Sequence, residues 1–417
     1  MVSGNAACRR RTDCRLCGSE ALSMVFALEP TPPANAFVTE AMKGRPQQSF
    51  PLDVFYCECC GHLQLLDVVD PRELFEDYVY VSGTSPVFVK HFEDYAAEVI
   101  DRFRPEPGGL VVDIGSNDGT LLSFFRRAGF RVLGIDPARE IAARATEAGI
   151  ETRCGFFTAG VASTIRAERG PAAVVTANNV FAHIDDLGGV ADGVRDLLAP
   201  AGVFVFEVSY LADVIEKTLF DTIYHEHLDY HAVRPLVGFL ERHGLELIEA
   251  MRVPSHGGSL RAVAQLKGGD RPVGASVAEA LAVEVAMGLE RADTYRAFAG
   301  HINDLKNELA GLLLALKAEG KRIAGFGAPA KATTLMHHFG LGADFIDFII
   351  DDSPLKQGLY TPGLHIPVLS SAAIAEHRPD YLLVLAWNFA PSIIAKNSAF
   401  RDVGGRFIVP LPKLEVV

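Results

Sequence analysis

The chain has 417 residues, 49% of them hydrophobic, which makes two or three ordinary domains of roughly 150 residues each with a large core to bury. Lys and Arg number 39 against 52 Asp and Glu, a net charge of −13, and that balance argues against DNA or RNA as substrate because neutralised phosphates supply most of such affinity. No apolar run reaches the roughly 20 residues of a membrane span, and the first residues lack the apolar stretch of a secretory signal, so a soluble cytoplasmic protein with no membrane partner is expected.

Five of the seven cysteines fall in two groups, Cys14-Arg15-Leu16-Cys17 and Cys57-Glu58-Cys59-Cys60. Two C-x-x-C pairs suit a tetrahedral zinc site in which each knuckle presents two thiolates; Cys14, Cys17, Cys57 and Cys60 are the expected ligands, with Cys59 a spare. Four thiolates close the coordination sphere, so the ion is expected to be structural. Disulfides or a redox pair are the alternative, although one redox pair does not call for a matching second pair. Pro30, Pro32, Pro33, Pro46 and Pro51 suit a loop-rich, metal-stapled domain ending near residue 75. A helical pattern then runs from about Ser85 to Arg104 and is stopped by Pro105 and Pro107.

The run from Gly109 to Gly119, with Leu110-Val111-Val112-Asp113-Ile114 before Gly115-Ser116-Asn117-Asp118-Gly119, reads as a buried parallel strand opening through a Gly-rich turn onto a helix. A second strand, residues 131–136, closes on Asp136 about 20 residues after the loop, where a carboxylate accepts hydrogen bonds from both ribose hydroxyls. Asn117 stands where a dinucleotide fingerprint has its middle glycine, and Asp113 precedes the loop. A carboxylate facing a diphosphate is unfavourable, whereas a cofactor with a sulfonium and an amino group accepts one. The pattern therefore favours S-adenosylmethionine (SAM) over NAD here, with Asp113, Gly115, Asn117, Gly119 and Asp136 as expected contacts. Strands over 172–180 and 202–208 bring Asn178, Asn179, the nearby His183 and Glu207 to carboxyl ends of the sheet, where ligands sit. Each of these is equally compatible with an ordinary strand-end polar residue.

Residues 220–231 hold three histidines, three acids and two tyrosines in twelve positions, a density of proton-transfer groups that marks the expected catalytic centre. Taken alone, the segment also reads as a zinc-type cluster or a polar loop of satisfied histidines. After a long helical stretch over 277–319, a strand over 321–326 opens onto Gly325-Phe326-Gly327-Ala328-Pro329-Ala330, which satisfies G-x-G-x-x-A and offers Pro329 for the first helical turn. Backbone N–H groups and the helix dipole there can approach a diphosphate, and Lys331 adds a positive charge. Asp351 or Asp352 falls near the spacing of a ribose-binding acid, so this motif alone fits NAD as well as a sugar nucleotide.

In chain order, the two Cys-x-x-Cys pairs, Asp113–Gly119, Tyr224-His225-Glu226-His227, Ser255-His256-Gly257-Gly258-Ser259-Leu260-Arg261 and Gly325-Phe326-Gly327-Ala328-Pro329-Ala330-Lys331 resemble the deoxysugar C-methyltransferase family over nearly the whole chain. Within it they are most similar to the dTDP-sugar C-3′-methyltransferases of antibiotic sugar biosynthesis, the D-tetronitrose type among them. The resemblance implies an α/β protein with a zinc-binding domain (1–75), a Rossmann-like SAM-dependent methyltransferase domain (76–265) and a second Rossmann-like domain holding a sugar nucleotide (266–417). It also implies that Tyr78, His183, Tyr224, Glu226 and His227 occupy active-site positions, with His227 the principal acid/base residue. Gly325, Gly327, Lys331, Lys356, Arg261 and Asn388 are the candidate substrate contacts.

The implied reaction is methylation at C-3′ of a dTDP-linked 4-keto-deoxysugar, a 3-amino-2,3,6-trideoxy-4-keto hexose, by way of an enolate. Two other classes compete: a zinc-containing NAD-dependent sugar-nucleotide oxidoreductase using the 325–330 loop, and a SAM-fold scaffold without catalysis. Three domains that bury one another's faces make a monomer adequate.

Overall fold

The computed structural model describes residues 7–76, 83 and 86–417; the Tyr78 expected at the active site lies outside them. The N-terminal module is built from short strands. β1 (Cys8–Arg10) pairs antiparallel with β5 (Asp67–Val69), while β2 (Leu22–Phe26), β3 (Val54–Cys57) and β4 (Leu63–Leu65) form an antiparallel meander. The helix Pro86–Phe103 leads out of this module, burying Tyr95, Ala96, Val99 and Phe103 along one stripe and ending before Pro105 as the sequence predicts.

The middle of the chain forms a seven-stranded sheet. β6 (Leu110–Ile114), β7 (Arg131–Asp136), β8 (Thr152–Cys154), β9 (Ala172–Asn178) and β10 (Leu198–Ser209) run parallel in the order β8-β7-β6-β9-β10. β11 (Asp229–Tyr230) departs from this sheet. β12 (Leu245–Val253) and β13 (Ser259–Leu266) return as an antiparallel pair, β13 lying against β10. Every residue of β6 is buried, as a strand covered on both faces by helices requires. The order reverses between β6 and β9, and the crevice above that switch point is where an open α/β sheet receives a ligand.

The C-terminal sheet repeats the plan. β14 (Ile323–Phe326), β15 (Ile349–Ile350), β16 (Val368–Leu369), β17 (Tyr381–Val384), β18 (Arg406–Val409) and β19 (Glu415–Val416) lie in the order β16-β15-β14-β17-β18-β19, all parallel except the last. Its switch point is at β14 and β17, above the glycine loop. The helical stretch before it is two helices rather than one, Ala275–Met287 and Ala292–Ala318, because Gly288 takes a left-handed φ of 69° and ends the first. Pro329 sits at the N-cap of the helix Ala330–Phe339, one position before the first turn expected for it.

These parts share one core. Its largest apolar cluster runs from Leu52 and Tyr56 through Phe206 and Leu260 to Ile349 and Leu411. The long helix carries Tyr295 and Phe298 onto Tyr56 and Phe26 of the N-terminal sheet, with ring centroids 5.5 and 6.2 Å apart. Most consequential is β11, which pairs with β4 and so becomes the outer strand of the N-terminal sheet, in the order β11-β4-β3-β2. Among the described residues no helix is long and apolar enough to cross a membrane.

One buried carboxylate ties the helical layer to this arrangement. Glu284 accepts the Tyr210 hydroxyl at 2.9 Å and the backbone N–H groups of Val233 and Arg234 at 2.6 and 3.0 Å, capping the helix Val233–Arg242 from a different helix. Glu284→Ala strands three donors away from water, and a loss of about 3 kcal/mol is expected in urea unfolding; an unchanged midpoint would show that water replaces the carboxylate at no cost.

Candidate active site

The four cysteines expected to bind metal converge. Their sulfurs all lie within 4.8 Å of one another, with Cys14 and Cys60 3.6 Å apart and Cys17 and Cys57 3.5 Å apart. A disulfide needs about 2.05 Å, whereas the edge of a zinc–thiolate tetrahedron with bonds of about 2.3 Å is roughly 3.8 Å. The donor set therefore fits zinc, and the remaining cysteines, Cys8, Cys59 and Cys154, stand outside it.

At the middle switch point the expected cofactor residues come together. Gly115 has φ 69°, and a Cβ there would fall 2.3 Å from Val180; Gly119 has φ 77°, with Ile150 2.8 Å from its would-be Cβ. Only glycine lets both turns close so tightly. Asn117 also takes a positive φ, 49°, and its backbone N–H donates to Asp136 at 2.8 Å. The other Asp136 oxygen accepts from Ala138 N at 2.8 Å, so each oxygen keeps a lone pair for a ribose hydroxyl. Asn178 ends β9 at the carboxyl edge of the sheet, its amide beside the buried Tyr95 hydroxyl. Asn179 follows at φ 55°. This set fits SAM. Asp113 lies deeper, and burial pushes its carboxyl up to about 7 even though Thr176 Oγ1 donates to it at 2.6 Å.

The histidine-rich segment divides into two kinds of residue. His225 and His231 are buried structural groups. His225 reaches Phe50 O at 3.2 Å, His231 lies against Phe181, and burial lowers both to about 4, so they stay neutral. His227 differs: its Nδ1 donates to Thr222 O at 2.7 Å, and its ring lies 4.1 Å from Tyr224 and stacks on His183 at 4.9 Å. Phe75 in turn stacks on His183 at 5.6 Å. Glu226 is buried and accepts the Asn35 amide at 3.0 Å. Of the five expected catalytic residues, four are thus gathered here. Asn35 was missed because its Pro-rich surroundings read only as a loop.

The expected substrate residues are more dispersed. Gly327 has φ 88°, with Ala386 2.5 Å from its would-be Cβ, while Gly325 lies in β14 beneath Ile349 and Leu385. Lys356 donates to Ala328 O at 2.7 Å, and its burial lowers the ammonium pKa. Asn388 Oδ1 is buried without a partner among the described residues. Lys331 has its own protein partners: its Nζ lies 3.6 Å from Asp221 and 4.6 Å from the centre of the Trp387 ring, and Trp387 Nε1 donates to that carboxylate at 2.7 Å. Asp351 accepts Ala328 N and Ser353 N at 2.7 and 2.8 Å, and Asp352 pairs with Lys396 at the surface. Arg261 sits within the fold, its guanidinium taken by Glu207 and Glu98 at 2.6 Å each, and His91 completes the group on Glu207. Those bonds bury the Glu207 carboxylate in its charged form, which leaves it little freedom to face a cofactor.

Comparison with known proteins adds a whole-chain match. Residues 14–75 match a zinc binding domain model, 88–250 a methyltransferase domain and 254–412 a C-methyltransferase C-terminal domain. C-methyltransferase NovU of Streptomyces niveus is 39% identical over 97% of this chain and 96% of its own. A ubiquinone biosynthesis O-methyltransferase of Colwellia psychrerythraea is 26% identical over 43% of this chain and 78% of its own. Among solved structures, an S-adenosylmethionine-dependent methyltransferase from Clostridium acetobutylicum aligns at 15% identity over 43% of this chain and 92% of that one, with a TM-score of 0.36.

The upward shift of the Asp113 carboxyl predicts a pH-dependent cofactor affinity. Between about 4 and about 7 the carboxyl is protonated in the folded protein, and it ionises only above that range. A cationic cofactor favours the ionised form, so SAM affinity measured by calorimetry is expected to rise as pH increases through 7, by at most about tenfold per unit below it. Asp113→Asn should flatten that slope; an unaltered slope would assign it to another group.

Proposed function

Since the chain belongs to the C-methyltransferase family, and is a SAM-dependent C-methyltransferase with a zinc-binding N-terminal module, we propose that it methylates C-3′ of a dTDP-linked 4-keto-deoxysugar, specifically a 3-amino-2,3,6-trideoxy-4-keto hexose, in antibiotic sugar biosynthesis. The reading divides the chain into modules near residues 75 and 265, the last holding the sugar nucleotide.

The observation that carries the proposal is the tautomer of His227. A carbonyl oxygen can only accept, so the bond to Thr222 O puts the ring proton on Nδ1 and leaves the lone pair of the neutral ring on Nε2. An imidazole held in that form by its own loop is a base whose orientation is set before substrate arrives. Carbon becomes a nucleophile only if its C–H bond is broken with the electrons stored nearby, and a ketone at C-4′ stores them. His227 Nε2 takes the C-3′ proton as the bonding pair moves toward C-4′ and the ketone oxygen becomes an enolate. Tyr224 and His183 pack against the same ring and are the proposed donors to that oxygen or supports for the base, with Glu226 held by Asn35. Tyr78 is assigned to the same site by the family pattern. Bound SAM supplies the electrophilic methyl group that the carbon attacks. His227 then releases its proton to solvent.

Asp113, Gly115, Asn117, Gly119, Asp136, Asn178 and Asn179 form the proposed SAM site. Gly325, Gly327, Lys356 and Asn388 edge the proposed nucleotide site, and Lys331 is given the further task of holding Asp221. The NAD oxidoreductase alternative has no support in the family match, which is to methyltransferases along the whole chain.

His227→Asn keeps a donor toward Thr222 and removes the base, so turnover on the dTDP-4-keto sugar should fall by about 10²- to 10⁴-fold. Thermal stabilisation by S-adenosylhomocysteine and by dTDP should be retained. Near-normal turnover would remove His227 from this role, and stabilisation of the wild type by NAD alone would favour the oxidoreductase.

A further inference from the structure

Arg15 lies between zinc ligands Cys14 and Cys17 in sequence, yet its side chain is entirely buried and bonded to other segments. Its guanidinium is spent on two segments that carry proposed catalytic histidines. Nε donates to Asp185 Oδ1 at 3.0 Å, and Asp185 is two residues beyond His183. Nη1 donates to Gln64 Oε1 at 3.1 Å and to Leu65 O, with Leu228 O at 3.5 Å; Leu228 adjoins His227, and its carbonyl also accepts Leu65 N at 2.9 Å. The Asp229 carboxylate is 3.8 Å from Nε.

Asp185 is the focus of a wider grouping. Arg11 donates to its backbone and side-chain oxygens at 3.0 and 3.2 Å, and Arg9 pairs with the same carboxylate. Three arginines of the zinc module therefore converge on one acid of the methyltransferase module. A long-range pair at the surface would be worth little, but Arg15 is a fixed planar fork with five donors, and burial prevents water from replacing its partners.

We propose that Arg15 is a positioning residue for the methyl transfer: gripping Asp185 and the Leu65–Leu228 junction together, it fixes the separation and stacking of His183 and His227. This rests on the proposed role of those two histidines. A buried arginine cannot be removed without leaving charges unpaired, so the first variant is Asp185→Asn, at a partly exposed position, and the second is Arg15→Lys, which keeps the charge and loses the fork.

Each variant is compared with the wild type by zinc content, melting temperature, kcat and KM with SAM and the dTDP-4-keto sugar, and ring-nitrogen NMR of ¹⁵N-histidine protein. The expected result is unchanged zinc content and KM for SAM, displaced His183 and His227 resonances with those of the distant His301 and His377 unmoved, and a kcat lowered by about 10²-fold, the cost of a misplaced catalytic group. Arg15→Lys, which loses the fork that makes both grips, should lower kcat at least as far as Asp185→Asn, which keeps an oxygen to accept from Nε. Unmoved His183 and His227 signals, or an unchanged kcat, overturn the proposal. A wild type inactive on this sugar counts against the proposed substrate instead, and the NMR comparison then decides the clasp by itself.

Discussion

The structure turns on the two backbone-to-backbone hydrogen bonds of one residue, Leu228. Its N–H donates to Ala182 O at 2.9 Å, and its carbonyl accepts Leu65 N at 2.9 Å. The first bond draws the segment carrying His227 against the one carrying His183; the second hands the chain to the N-terminal sheet, where Asp229 and Tyr230 continue as β11. A loop as polar as this one cannot be buried unless its backbone groups are paired. Pairing them with another module satisfies that requirement and makes the conformation of the His227 segment depend on the zinc module.

The C-terminal module grips the same segment from the other end. Thr334 Oγ1 donates to Ile223 O at 2.7 Å, and Trp387 with Lys331 holds the buried Asp221 carboxylate. Asp221 and Ile223 flank Thr222, whose carbonyl sets the His227 tautomer. The Pro-rich loop of the zinc module spans both partners, giving Asn35 to Glu226 and Ala34 O to Thr333. The strands that the four cysteines staple are the ones against which the 220–231 loop is fixed, so a metal held there bears on the conformation of that loop.

Much of this was legible in the sequence wherever a local rule governs. The C-x-x-C spacing identified the four ligands because a tetrahedron of thiolates demands it, and the Asp113–Gly119 loop was readable because glycine is required where φ is positive and the backbone turns tightly. The boundary at Phe103 followed from Pro105. What composition could not convey is pairing across long separations. Nothing in Asp229 and Tyr230 announces a strand belonging to a sheet built some 165 residues earlier. Lys331 was assigned to a phosphate by its place after a glycine loop, whereas a buried Asp221 in another module claims its ammonium. The density of residues 220–231 singled out the segment the structure gathers beside His183, but within it His225 and His231 read like His227 in sequence and differ from it by burial.

The central claim is that a preset imidazole removes a proton from the carbon to be methylated. The direct measurement is hydrogen exchange at C-3′ of the dTDP-4-keto sugar in deuterated water, followed by NMR and mass spectrometry with S-adenosylhomocysteine in place of the methyl donor. Incorporation of one deuterium at C-3′, dependent on the enzyme and not on NAD, is the predicted result. A substrate that stays fully protonated at C-3′ while the enzyme methylates it normally once SAM is added would contradict deprotonation as a separate, reversible step.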